Sequence, residues 1–303
     1  MIQYLKHNEI DKKKWDQAID QSANGLIYAN SWYLDIVCPG WDALVEADYT
    51  TVMPLTRNKK YRVEYIYPPY FAQQLGIFSK NKITRGKVQE FLNAIPAQYK
   101  FIEANLNTQN TFDISGFKIK TNTNIELALS SSYDSLRKKF SEDNQRNIKK
   151  ALKHNVRLQK GIPPAELIRI FRKNTGKKIS NLGDKNYNVL LNLINTCVRK
   201  GYAEVWGAFS DASLCAGVVW LNKGDRSIFL FSATDERAKK TGAMFYLIDQ
   251  FIRENVGTNR ILDFEGSNLP GLARFYKGFG SEEMVYLQVR KNNLPKIVRW
   301  LKG

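Results

Sequence analysis

Cysteine and histidine are scarce in this chain of 303 residues, which has three of the first (Cys38, Cys197, Cys215) and two of the second (His7, His154). The cysteines lie far apart among apolar neighbours, and no Cys-x-x-Cys pair occurs. That excludes a disulfide scaffold and a zinc ribbon, and leaves each cysteine to be a small buried hydrophobe. Two histidines cannot build a His-rich metal centre and make a Ser-His-Asp triad improbable, so no metal site is expected. No run of about 18 apolar residues exists, so no transmembrane segment is expected. The first residues, MIQYLKHNEIDKKKW, lack an apolar core and a small-residue cleavage site, which points to a cytoplasmic protein. Sustained heptads are missing too, and with them a coiled-coil arm. Acid is in short supply: 29 Asp and Glu face 46 Lys and Arg, a net charge of +17. Such a charge fits an anionic partner, whether a phosphate-bearing co-substrate, RNA, a lipid-linked phosphate or an anionic membrane face.

What is present suffices for two domains. Apolar residues make up 43%, enough for ordinary cores. The first part reads as helix (10–21), a short helix from Asn30 or Ser31, strands at 41–46 and 49–55, helix (84–94), and strands at 100–104, 117–120 and 123–129. Between them, YRVEYIYPPYFAQQ (61–74) holds four tyrosines and Pro68-Pro69. Alternation in RVEYIY predicts a strand that the prolines end. Tyr67 and Tyr70 belong either to a core strand with its loop or to an aromatic wall of a ligand groove. Ser130-Ser131-Ser132 is a polar break, so the expected domains are 1–129 and 130–303.

The second part opens with a helix over 133–154. Lys139, Arg146, Lys150 and Lys153 share one face of it, opposite Leu136, Phe140, Ile148, Ala151 and Leu152. The basic face is either solvated or in contact with the phosphates of RNA or a lipid-linked substrate. A strand (156–159) and two helices (165–174, 187–200) follow. Three strands (203–209, 214–221, 227–233) are joined by SDAS and NKGD, good hairpin chemistry. After the charged turn TDERAKKT, Gly242 opens a helix with Phe245, Ile248 and Ile252 at helical spacing. Next come a strand (260–264), a helix capped by Ser267 or Asn268 that ends at Gly278-Phe279-Gly280, and a basic helix from Asn292 onward. Alternation along ILDFE puts Asp263 and Glu265 on one face, where two carboxylates can orient or deprotonate an amine, or pair with Arg260, Arg274 or Lys277.

The stretch LDFEGSNLPGLARFYKGFG (262–280) resembles the C-terminal signature of the FemAB-like branch of the GNAT acyltransferase superfamily, and DNQRNIKKALKHNV (143–156) resembles that branch as well. Element order extends the likeness over roughly 130–288. The resemblance implies an α/β (α+β) fold of tandem GNAT-like domains, each a mixed sheet flanked by helices, the first degenerate and the second carrying the site. It implies transfer of an acyl or aminoacyl group from acyl-coenzyme A or aminoacyl-tRNA to an amine, as in FemAB-like peptidoglycan enzymes, with no tightly bound cofactor. The acceptor would be an amine of a cell-wall or lipid-linked precursor, with peripheral membrane contact. GNAT proteins seat the coenzyme A pyrophosphate on amides at a helix start. The corresponding stretch is Lys239, Thr241, Gly242 and Ala243, although Lys239 and Met244 depart from the usual motif. Tyr276 falls where many GNAT enzymes have the tyrosine that protonates the leaving thiolate, and Lys277 matches a basic position of the FemAB-like pattern, fit for an oxyanion or a phosphate. The rival expectation is a non-catalytic RNA- or anionic-lipid-binding protein on a GNAT scaffold.

Overall fold

A computed structural model describes residues 1–179, 181–266 and 268–295. Contacts divide the chain into two compact units: Met1–Asn122 together with the chain from Val285 onward, and Thr123–Met284. The boundary therefore falls inside a strand rather than at Ser130, and the last strand returns to the first unit.

In the first unit β1 (Ile2–Leu5), α1 (Lys12–Gln21) and α2 (Ser31–Val37) precede β2 (Asp42–Glu46), β3 (Thr51–Leu55), β4 (Arg57–Lys60), β5 (Val63–Ile66) and β6 (Phe78–Ser79). Then come α3 (Arg85–Asn93), β7 (Tyr99–Asn105) and the start of β8 (Lys118–Ala128). The sequence reads β8 as two strands; it is one. β1, β2, β3 and β6 form an antiparallel sheet, while β5 runs parallel to β7 with α3 in the crossover. Leu44, Leu55, Ile66, Val88, Phe91 and Ile102 fill the core.

The second unit begins with α4 (Tyr133–Lys138) and α5 (Glu142–Lys153), where the sequence suggests one helix. The break has a local cause: Ser141 caps α5, its hydroxyl accepting the Asn144 N–H at 3.2 Å. β9 (Arg157–Lys160), α6 (Pro164–Lys173), α7 (Asp184–Arg199), β10 (Ala203–Ser210), β11 (Ser213–Lys223) and β12 (Arg226–Thr234) follow. The charged turn expected next is a short helix, α8 (Glu236–Thr241), because the Asp235 carboxylate accepts the Ala238 N–H at 3.0 Å. α9 (Ala243–Asn255), β13 (Ile261–Asp263) and α10 (Pro270–Lys277) complete the unit, and β14 (Glu282–Asn292) leads back to pair with β7. Asn292 ends β14, and the basic helix expected beyond it lies, from residue 296, outside the described residues.

The unit's strands are ordered β8-β13-β12-β11-β10-β9, with β12 and β13 parallel and every other pairing antiparallel. Helices cover both faces. On one, an aromatic column runs from Trp206 through Trp220, stacked 3.8 Å from Phe251, to Phe229, Tyr276 and Phe264. On the other, Phe171 of α6 meets Phe231 at 4.9 Å. Cys197 and Cys215 are buried in this unit and Cys38 in the first, and burial pushes their thiols up to about 12, about 11 and about 11, as inert packing residues require.

Phe251 is 2% exposed at the centre of the column. Phe251→Ala should cost about 3–5 kcal/mol, the range for emptying an aromatic core site. Urea denaturation followed by tryptophan fluorescence measures it, since Trp206 and Trp220 both touch the ring.

Candidate active site

The candidate site is set by two parallel strands that stop pairing. β12 and β13 are in register from Arg226↔Ile261 to Ile228↔Asp263, and there β13 ends while β12 runs on to Thr234. Past Ile228, β12 presents a backbone edge that β13 does not pair. A bulge lies at the same place. Val219 pairs with Phe231 and Trp220 with Phe229, so Leu230 has no partner on β11. Residues two apart normally share a face. The bulge instead sends Phe229 towards Tyr276 and Phe231 towards Phe171.

Tyr276 bridges the parting. Its ring stacks on Phe264 at 4.8 Å and meets the edge of Phe229 at 5.7 Å, one partner from each diverging segment. Only 5% of the residue is exposed, and among the described residues no hydrogen bond reaches its hydroxyl. Burial raises the phenol well above its ordinary value and the Glu265 carboxylate raises it further, so the proton is retained at neutral pH. Glu265 is half-buried with φ +56°, and Gly266 follows at φ +54°. A Cβ on Gly266 would lie 2.2 Å from the Thr123 carbonyl oxygen, so only glycine fits. The strand geometry that put Asp263 and Glu265 on one face ends before Glu265.

Asp263 does not face a cleft. It is 2% exposed, its Oδ2 accepts Arg226 Nη1 at 2.6 Å, and its Oδ1 accepts the Glu265 N–H at 2.8 Å. The same Arg226 nitrogen reaches Glu126 Oε1 at 2.8 Å, and Asn124 Nδ2 donates to that oxygen at 2.9 Å. Burial raises the Asp263 carboxyl and the guanidinium opposes it. Asp263 is thus a strand pin. Neither Arg226 nor Glu126 is marked by any local pattern, and the bulge at Leu230 depends on pairing that sequence does not display.

The helix start at Gly242 is covered. Gly242 closes α8 and opens α9 at φ +76°, and a Cβ there would lie 2.4 Å from the Asn147 carbonyl oxygen of α5. Ala243 is fully buried, the Thr241 hydroxyl donates back to the Arg237 carbonyl at 2.9 Å, and Lys239 pairs with Glu236 at 2.6 Å. Asn147 of α5 thus packs against the helix start at which the resemblance places a diphosphate. Lys277 lies on another side of α10 from Tyr276, half-exposed and paired with Glu283 at 2.8 Å.

The remaining candidates lie elsewhere. Tyr67 turns inward, its phenol raised by burial and by the Cys38 thiol, and its ring lies 5.9 Å from Tyr65. Tyr70 is 49% exposed. The cavity beside Pro68, Pro69 and Ala72 measures about 10 Å³, too small for a ligand, and neither tyrosine lines it. Arg146, Lys150 and Lys153 stand exposed on α5; Lys139 caps the preceding helix instead, across the Ser141 break. Leu269 takes the cap position of α10; Ser267 is outside the described residues. Among the described residues no group of three or more His, Cys, Asp or Glu could hold a metal, and no helix is long and apolar enough to cross a membrane.

Residues 143–274 match the family model of the GNAT acetyltransferase domain. No curated protein matches the sequence. Among solved structures the chain is similar to FemX, with a TM-score of 0.69 and 14% identity over 99% of this chain and 100% of that one. It is similar to a tandem GNAT protein from the clavulanic acid biosynthesis pathway, with a TM-score of 0.55 and 12% identity over 98% and 100%. L-PGS from Bacillus licheniformis has a TM-score of 0.55 and 10% identity over 96% and 95%. The fold is therefore the tandem GNAT-like α/β architecture, and the comparisons agree with the resemblance to the FemAB-like branch.

Asp263→Asn should cost stability. Arg226 keeps Glu126, so the loss should fall near 1–3 kcal/mol, short of the roughly 3–5 seen when a buried charge loses its only partner. Glu265→Gln, at a half-buried position, should cost less than Asp263→Asn. Paired urea titrations check both; an unchanged midpoint for Asp263→Asn would contradict the pin.

Proposed function

We propose that this chain, with a GNAT domain over residues 143–274 and the fold of FemX along its length, is an N-acyltransferase whose site lies in the second unit. The observation that carries this is Tyr276, a protonated phenol with no hydrogen-bond partner among the described residues, held by Phe264 and Phe229 where β12 and β13 part. An amine acceptor enters beside Glu265, which takes its proton and releases it to solvent before the next turnover. The amine nitrogen attacks the donor carbonyl, and the bulged backbone edge of β12 past Ile228 offers N–H donors to the oxyanion. The intermediate collapses with cleavage of the bond between the carbonyl carbon and the leaving sulfur or oxygen. Tyr276 protonates that leaving atom, and the phenolate recovers a proton from solvent. Two residues and a shaped edge suffice, because acyl transfer depends chiefly on orientation and oxyanion stabilisation.

The donor is an activated acyl or aminoacyl ester or thioester. The covered start of α9 favours aminoacyl-tRNA over acyl-coenzyme A, whose diphosphate loses its usual seat. The resemblance to FemAB-like enzymes supports an amine of a cell-wall or lipid-linked precursor as acceptor. Asp263 keeps the parting in shape, and Lys277 has no part in the transfer.

Tyr276→Phe removes only the proton donor. The turnover number should fall about 10²–10⁴-fold, the usual range for a general acid, with the melting temperature unchanged. The assay measures loss of acyl-coenzyme A or of aminoacyl-tRNA in the presence of amine acceptors. Consumption of neither donor, or a phenylalanine variant as active as the parent, would sink the reading.

A further inference from the structure

We propose that the tip of the β4–β5 hairpin in the first unit is a docking point for an anionic bilayer. The inference does not depend on the transfer reaction. β4 and β5 pair antiparallel from Arg57↔Ile66 to Lys60↔Val63, so Tyr61 and Arg62 alone make the turn. Both have left-handed backbone, φ +49° and +65°, as a two-residue hairpin turn requires. Lys59, Lys60, Tyr61 and Arg62 are all exposed. Tyr61 is 85% exposed, whereas Tyr70, the next most open aromatic among the described residues, stands at 49%. Among the described residues none of the three cations has an ion-pair partner; Lys60 sits over the Tyr61 ring, 5.3 Å from its centroid. Glu64, across from Lys59 in the ladder, is the hairpin's single acid and is half-buried.

The chemistry of this tip fits a lipid surface. Tyrosine settles its ring at the level of the headgroups and keeps its hydroxyl in water. Lysine and arginine gather at the same depth against anionic headgroups, and each strengthens binding about fivefold. Consecutive Cα atoms are about 3.8 Å apart, so residues 59–62 lie within about 11 Å of one another and meet one patch of surface together. A partner protein would need roughly 800 Å² on each side for a stable interface, more than so small a tip supplies. A second copy of this chain, with the same charge of +17, would be repelled. Single-stranded nucleic acid is held along a basic groove with several stacking rings, whereas this tip offers one ring at an apex. A bilayer needs neither a groove nor a broad facing surface. Three cations and one ring give a weak attachment that salt reverses.

The test sediments the full chain with vesicles of phosphatidylglycerol and phosphatidylcholine, and with vesicles of phosphatidylcholine alone, at about 100 mM salt. The parent should bind the anionic vesicles and leave the neutral ones. Lys59→Gln, Lys60→Gln and Arg62→Gln together should weaken binding on the order of 100-fold, three factors of about five. Tyr61→Ser keeps every charge and should still weaken it severalfold. Lys149→Gln, Lys150→Gln and Lys153→Gln remove the same charge from exposed positions of α5 and should lose at most about threefold. Should the triple tip variant melt early, Lys60→Glu alone must still lower vesicle affinity. A labelled RNA hairpin and polyglutamate are titrated beside the vesicles. The proposal is overturned if the parent ignores anionic vesicles, if the α5 variant loses as much as the tip variant, or if Tyr61→Ser binds as the parent does. Tip-dependent binding of RNA or polyglutamate without binding of vesicles would overturn it as well.

Discussion

One guanidinium ties three strands together where the sheet of the second unit opens. Arg226 of β12 reaches Glu126 of β8 and Asp263 of β13, which lie side by side in the register Asp263↔Glu126. β13 has only three residues to hold its place, too few for the ladder alone to fix the chain that follows. The ion pairs do so, and the Asp263 carboxylate then accepts the Glu265 N–H and shapes the left-handed Glu265-Gly266 corner. From that corner the chain reaches α10 and carries Tyr276 under the gap. A buried carboxylate at this point costs desolvation free energy, and the arrangement is justified by position more than by stability.

The bulge at Leu230 works on the opposite wall. Without it Phe229 and Phe231 would compete for one face; with it each helix layer receives one ring. The parting of the strands thus has a rigid aromatic side, built by Trp220, Phe251 and Phe229, and a polar side pinned by Arg226. A gap between such walls is preorganised, and the groups around it need little rearrangement to act.

Much of this was legible in the sequence because it is local. The apolar run of β12, the hairpin turns, the periodicity of α9 and the Gly278–Gly280 stop all follow from neighbours a few residues apart. What was not legible is non-local. Asp263 meets Arg226 across 37 positions and, through it, Glu126 across 100 more. Gly242 reads as an open helix start until the Asn147 carbonyl is seen against it. Alternation placed Glu265 beside Asp263, but alternation holds only while the backbone is extended, and Glu265 is not. In the tyrosine-rich segment the chemistry suits a groove, while packing half-buries Tyr67 beside the Cys38 thiol. Tyr276 came from a resemblance, and its surroundings, not its type, support its role.

The return of β14 to the first unit has a consequence for biosynthesis. Val289 is fully buried there, Leu287 nearly so, and both belong to the core around Ile102 and Phe91. These residues leave the ribosome after the whole of the second unit. Until then β7 lacks the partner that joins it at Gln288↔Asn105 through Asn292↔Phe101 and exposes an open edge to other chains. The usual order, in which the N-terminal domain folds first, is therefore reversed: the second unit can close while the first still waits for its last strand. A nascent chain halted before Val285 would be most vulnerable to aggregation in the half that was synthesised earliest.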